Sequence, residues 1–304
     1  MSEDKHEKSF QVSQPAKLIV SNICGSVEIL PGEDGTILLT AVKHINTGDG
    51  KRTEIEIAQE ADGTVKAATH FPDGSWSWLF GSRPCDVDYI VKVPRNCSLR
   101  LTGVSSTASA EGIEGACIVK SVSGDISLHD MTGAMQIHTI SGEIDGKSIF
   151  GPLDLDTVSG DAVLMNSNLP SIKSRTVSGN IQIQTPLAGG PYHFKSISGD
   201  VRLIVPTETR CTAELHSVSG DLISAFPFMG NSHNHGIQTI NINGGGGNIS
   251  LNSVSGNLSL DSDGKFPPIP APARSTYAEG RHKVLEGIAR GEMTVEEGLI
   301  KLKG

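Results

Sequence analysis

From Ser121 to Leu260 the chain repeats one short phrase: a hydroxyl residue, an aliphatic one, Ser-Gly, an acidic or amide residue, then aliphatics alternating with polar positions. The copies read SVSGDISL (Ser121–Leu128), TISGEI (Thr139–Ile144), TVSGDAVL (Thr157–Leu164), TVSGNIQI (Thr176–Ile183), SISGDVRL (Ser196–Leu203), SVSGDLIS (Ser217–Ser224) and SVSGNLSL (Ser253–Leu260). Their central glycines, Gly124, Gly142, Gly160, Gly179, Gly199, Gly220 and Gly256, are spaced 18, 18, 19, 20, 21 and 36 residues apart. The last gap leaves room for one extra coil. A degenerate copy, GVSSTA, puts Ser106 in the glycine place, and NICGSVEI at Asn22–Ile29 opens the series. Gly115, Gly133 and Gly151 fall midway between the early repeats, so each repeat splits into two short strands, each followed by a turn. Period-two alternation places Ile, Val and Leu on one face of each strand and Ser, Asp, Gln or Lys on the other. Such a chain is all-β: a parallel β-solenoid of 18–21-residue two-strand coils, stacked at ~4.8 Å around a thin aliphatic core. Large rings are expected to be excluded from so narrow an interior, in keeping with an aromatic content of 4%.

The seven glycines are structural turn residues, expected to supply a positive φ where each coil reverses, with neighbouring Ser and Asp side chains bonding the turn. Stacking aligns Asp125, Glu143, Asp161, Asn180, Asp200, Asp221 and Asn257 in one column. A cation stripe is one reading of that column; repeated turn chemistry on a solvated corner is the one adopted. The calcium-binding nonapeptide solenoid needs paired glycines and Asp two places after Gly, and here Asp follows Gly at once.

Ahead of the repeats, TILLTAVKH (Thr36–His44), TEIEIAQ (Thr53–Gln59), TVKAATH (Thr64–His70) and DVDYIVKVP (Asp86–Pro94) read as longer strands separated by PGEDG, NTGDG and ADG turns. They are expected to form an antiparallel elaboration that caps the first coil, because an open coil end is an unpaired sheet edge. After Leu260 four prolines mark an extended linker, and the pattern then changes to helical period, with a capping box at Thr294 and Glu297. The organisation expected is a disordered tail over 1–14, N-terminal strands and cap over 15–102, solenoid over 103–261, Pro-rich linker over 262–276 and a small C-terminal α-hairpin over 277–304.

A formal net charge of -9 argues against nucleic-acid binding, which needs a basic footprint. The polar start MSEDKHEKSFQVSQP lacks the apolar stretch of a secretory signal, and the five cysteines are scattered with no CxxC. A cytoplasmic location, peripheral to the membrane, is expected.

Chemistry is sparse. Paired carboxylates could serve glycoside chemistry, but the acidic column offers them everywhere alike, and no P-loop, GxSxG or HExxH occurs. The chain is expected not to be an enzyme and to need no cofactor or metal. His233 and His235 form an HxH in an insertion, with His216 as a conceivable third ligand, and the reading adopted is a solvated loop. Both tryptophans sit in FPDGSWSWLFGSRP, so Trp76, Trp78, Leu79 and Phe80 are the candidate partner-binding residues, as an anchor or as a lid over the first coil. A protein partner is favoured over a bare bilayer, since no polybasic stretch adjoins that loop.

VKVPRNCSLRLTGVSS (Val91–Ser106) followed by serial SVSGDI copies resembles the bacterial putative-adhesin β-strand-repeat family, also called toastrack, over roughly residues 15–261. The segment EGIARGEMTVEEGLIKL is similar to a short helical module often attached to such proteins. The resemblance implies a non-enzymatic scaffold or binding module linked to bacterial envelope stress or envelope-associated partners, with no catalytic residues to carry over. Two alternatives stand beside it: a bactofilin-like self-assembling structural protein, and a secreted adhesin.

Overall fold

The computed structural model describes residues 3–71, 83–234 and 236–262. The linker and hairpin expected over 262–276 and 277–304 lie outside the described residues, apart from Ser262. Among the described residues, regular structure is β-strand throughout except for one 3-10 turn at Ile45–Thr47, and no helix is long and apolar enough to cross a membrane.

The chain enters with β1 (Glu3–Gln11), β2 (Ala16–Pro31), β3 (Thr36–His44), β4 (Glu54–Gln59), β5 (Val65–His70), β6 (Asp86–Val93) and β7 (Cys97–Glu111). Residues 3–11, expected to be disordered, form an edge strand antiparallel to β3, which is itself antiparallel to β6. Strand β4 is antiparallel to β5. These three pairings are the expected antiparallel cap. The rest of the N-terminal section is already solenoid: β2 runs parallel to β7 over almost its whole length, with β5 and β6 parallel to the two halves of β2. The boundary expected at 102/103 therefore falls inside one continuous strand. Because β2 and β7 pass unbroken through the corner, all 23 described strands belong to one hydrogen-bonded sheet folded into two facing walls.

Five regular coils follow. Their first strands are β8 (Cys117–Ser121), β10 (Met135–Thr139), β12 (Leu153–Thr157), β14 (Ile172–Arg175) and β16 (Tyr192–Lys195). Their second strands are β9 (Ile126–Thr132), β11 (Ile144–Phe150), β13 (Ala162–Met165), β15 (Ile181–Gln184) and β17 (Val201–Val205). Register is kept from coil to coil, so Ile126 pairs with Ile144 and Ile144 with Ala162. Inward residues of both walls join one aliphatic core, and successive residues alternate buried and exposed.

At the C-terminal end sequence order and spatial order part. Strands β18 (Cys211–His216) and β19 (Leu222–Ser224) do not stack on β16 and β17. The chain first makes a hairpin, β20 (Phe228–Asn234) with β21 (Ile237–Ile242), which lies antiparallel on the outer edge of β18. It then returns as β22 (Gly247–Asn252) and β23 (Leu258–Ser262), inserted between β16–β17 and β18–β19 and parallel to both. The 36-residue gap between Gly220 and Gly256 thus holds a capping hairpin, and the last repeat in sequence is the penultimate coil in space.

The core also admits large rings, contrary to expectation. Tyr89, Tyr192 and Phe194 are among its largest fully buried side chains. Phe194 pairs with buried Ser174 on the preceding coil, whose small side chain leaves space. The Tyr192 hydroxyl accepts the Gly189 N–H at 3.1 Å. Tyr89 joins a closed polar network at the first corner. Its hydroxyl pairs with Thr69 Oγ1 at 2.8 Å, Thr69 donates to Asn22 Oδ1 at 3.0 Å, and Asn22 Nδ2 donates to the Val87 carbonyl at 2.7 Å and Ser106 Oγ at 3.0 Å. The hydroxyls and amide of these rings and side chains are thereby satisfied, which offsets the cost of removing them from water.

Candidate binding surfaces

Each repeat corner is closed by the hydroxyl three places before the glycine. Ser121 Oγ accepts the Gly124 N–H and donates to the Gly124 carbonyl, both at 3.0 Å, and Thr157 does the same for Gly160 at 3.1 Å. That hydroxyl is buried. The serine next to the glycine is exposed instead and reaches back to the preceding coil: Ser159 Oγ donates to the Ile140 carbonyl at 3.2 Å. The residue after the glycine also links coils, since Asp125 Oδ1 accepts the Glu143 N–H at 2.9 Å and Asp161 Oδ1 accepts the Asn180 N–H at 2.7 Å.

The seven turn glycines sit at these corners, but none has a positive φ. Glycine is required there because successive corners touch. A methyl group on Gly142 would overlap the Gly124 carbonyl, and one on Gly160 would overlap the Gly142 carbonyl. The column continues through Gly179 and Gly199 to Gly256 and then Gly220, in the spatial order of the coils. The opposite corner does use torsion as well, with φ of +135° at Gly133 and +137° at Gly151.

Stacking turns each repeat position into a surface column. The position after the glycine runs Asp161, Asn180, Asp200, Asn257, Asp221 in space, so acid and amide alternate and the late carboxylates are kept two coils apart, about 10 Å. In sequence order Asp200 and Asp221 would be neighbours; inserting Asn257 between them relieves the repulsion.

The aliphatic residue two places before the glycine forms a second column, absent from the sequence reading. Val104, Val122, Ile140, Val158, Val177 and Ile197 are 41–52% exposed. Val254, at 51%, and Val218, at 84%, extend the column to the last coil. Eight rungs at coil spacing make an apolar ridge about 34 Å long. Alternation identifies inward residues on a strand, but this position lies in the corner, where period two no longer says which way a side chain points.

On the outer face of the first wall, Asp156 lies between Arg175, which donates to both its oxygens at 2.5 Å, and His138 at 3.1 Å. Burial alone would raise the Asp156 carboxyl, but the Arg175 and His138 bonds outweigh it and hold the group below its ordinary value. Beside it, Pro152, Pro191, Met135 and the Asp154–Lys173 pair line a shallow depression of about 270 Å³.

The other reactive groups are placed for structure. Ser26, Asp88 and His44 come together, but the carboxylate stands in the middle: Ser26 Oγ donates to Asp88 Oδ1 at 2.7 Å, and His44 Nε2 contacts Asp88 Oδ2 at 2.7 Å. Nothing there activates the serine, since a nucleophilic hydroxyl needs the imidazole as its base. Burial pushes the Cys97 and Cys117 thiols up to about 12 and Cys211 to about 11, which keeps them protonated and inert. Among the described residues no three His, Cys, Asp or Glu side chains gather as metal ligands, and His216 is 3.7 Å from Glu214. Trp76, Trp78, Leu79 and Phe80 lie outside the described residues, as does His235.

This architecture is similar to that of a solved structure described as a putative adhesin from Bacteroides fragilis, with 10% identity over 85% of this chain and 98% of that one, at a TM-score of 0.51. A solved protein described as a putative lipid binding protein from Parabacteroides distasonis aligns over 86% of this chain and 97% of its own, with 12% identity and a TM-score of 0.41. At such identities the first likeness speaks of fold alone. No curated protein matches the chain. The family model described as Toastrack DUF4097 matches residues 25–261, from the first corner glycine to the end of the last inserted coil. The chain belongs to the Toastrack DUF4097 family.

Proposed function

We propose that this chain is a non-enzymatic scaffold that holds a protein partner at the bacterial cell envelope from the cytoplasmic side. The observation that carries the reading is that two outward corner positions, the exposed aliphatic residue two places before each glycine and the acid or amide residue after it, stack into straight columns of like side chains. A surface of that kind recognises an extended or repeating partner through many weak contacts rather than through one convergent pocket. The family resemblance supports the link to the envelope.

Affinity capture with the purified chain, from native lysate with and without its membrane fraction, tests this. The expected result is a protein retained in stoichiometric amount only when membranes are present. A partner retained equally from the soluble fraction would remove the envelope from the proposal, and retention of no protein from either would remove the scaffold.

A further inference from the structure

The aliphatic ridge at the repeat corner has a size, a period and a charge border that together specify what covers it. Its eight residues expose roughly 600 Å² of mainly aliphatic surface in one stripe, the upper end of what the largest apolar patch of a monomer leaves to water. Two such stripes facing each other would bury roughly 1,200 Å² before any flanking residue is counted, the lower edge of a standard specific interface. The rungs repeat at about 4.8 Å, so an opposing surface meets every one of them only if it carries the same repeat. A second copy of this chain does.

The borders of the ridge differ in sign. On the first-wall side run the exposed cations Lys120 and Lys195, while Asp156 and Arg175 between them neutralise each other. On the other side run Asp125, Glu143, Asp161 and Asp200, all exposed. Rotating a second copy about an axis along the ridge brings each basic border over the other copy's acidic border. Rotating it about an axis across the ridge sets like borders together. The first arrangement is electrostatically favoured, and it keeps every rung opposite its own counterpart. We infer that two copies of this chain pair side by side through the Val104–Val218 ridge, with their solenoid axes parallel. This pairing holds whether or not the other columns bind a partner protein.

Sedimentation of the full chain into the micromolar range tests the pairing, and an introduced thiol tests its direction. Replacing Ile140→Asp and Ile197→Asp together, both at exposed positions, should leave the fold and melting curve nearly unchanged while weakening dimerisation about tenfold or more. With Cys24→Ser removing the one partly exposed native thiol among the described residues, Val122→Cys should form a disulfide between copies. Parallel pairing sets the two new thiols against each other; antiparallel pairing sets each of them near Val254 of the other copy. A dimer that is dispersed by the Asp pair and locked by the Val122→Cys disulfide is the expected result. A monomer, a dimer indifferent to the Asp pair, or a dimer in which Val122→Cys forms no disulfide overturns the proposal. A monomer in which a short thiol–amine reagent joins the new thiol to a lysine within residues 263–304 overturns it too, and assigns the ridge to the chain's own C-terminal segment.

Discussion

In the turn from Thr157 to Gly160 the cost of adding a side chain is set by the coil beneath, and backbone torsion contributes little. Gly160→Ala is expected to lose about 2 kcal/mol or more, because the Gly142 carbonyl occupies the place of the new methyl and belongs to a backbone locked in the ladder. Gly247 also lacks a positive φ, yet a methyl there would meet only ordinary contact with the Gly189 carbonyl, so Gly247→Ala should stay within about 0.5 kcal/mol of wild type. Equal denaturation midpoints for the two variants would refute the close-approach account. Thr157→Val keeps the shape of the turn but strips the Gly160 N–H and carbonyl of their partner, and should cost about 1–3 kcal/mol. Asp156 makes a prediction in pH. Its carboxyl is held below its ordinary value, so at acid pH the unfolded chain binds more protons there than the folded one. The contribution is fully present above the unfolded value of about 3.9 and is lost as the pH falls through the lower, folded one. Asp156→Asn should therefore flatten the decline in urea midpoint below about pH 4, and an unchanged acid limb would show that the Arg175 bond carries no net stability.

At the scale of strands, the period of 18 residues and the alternation within each half were enough to read two walls, an aliphatic core and the hydroxyl-rich corners, because each of these depends on neighbours along the chain. What escaped depends on neighbours across it. The Gly column looked like a torsional demand because a lone sequence does not display the carbonyl one coil below. Phe194 and Tyr192 looked too large for the core because the space beside Phe194 comes from Ser174, twenty residues earlier. The insertion of β22–β23 was illegible for the same reason: both repeats carry the same SVSG corner, and either one fits on the edge of β16–β17. That insertion is testable. A chain ending at Asn243 lacks the coil that bridges β16–β17 to β18–β19, since neither outer coil pairs with the other directly. Hydrogen exchange should show loss of protection over residues 211–242 with protection retained from β7 to β15. Protection of 211–242 at the full-chain level would mean that β18–β19 can dock on β16–β17 unaided.

For the whole molecule the governing problem is that a stack of coils has two ends, and each end presents unpaired strand edges able to recruit another stack. The described part of the chain treats all four edges. One wall is closed by β4 and by the β20–β21 hairpin, both antiparallel to the coil they cover. At the C-terminal end of the other wall the outermost strand, β19, has three residues, and the buried Phe226 follows it directly. At the N-terminal end that wall is closed by β1, an exposed strand reading EDKHEKSFQ, whose first six residues are all charged or titratable. Beneath it lies β3, TILLTAVKH, which is apolar enough to pair with another sheet and has Leu38 facing outward. Strand β1 thus acts as a charged cover over an edge that favours association. Removing residues 1–12 should leave the coils folded, because the fully buried core begins at Ala16 and the segment adds only the partly buried Phe10 and Val12, but should expose the β3 edge along its length. Light scattering is expected to show end-to-end pairing that grows with concentration, and electron microscopy to show particles of doubled length rather than filaments, because the opposite end keeps its cover. Circular dichroism should stay that of a β-protein, which separates edge pairing from unfolding. A truncated chain that remains as monodisperse as the full one would show that the edge is protected by something other than β1.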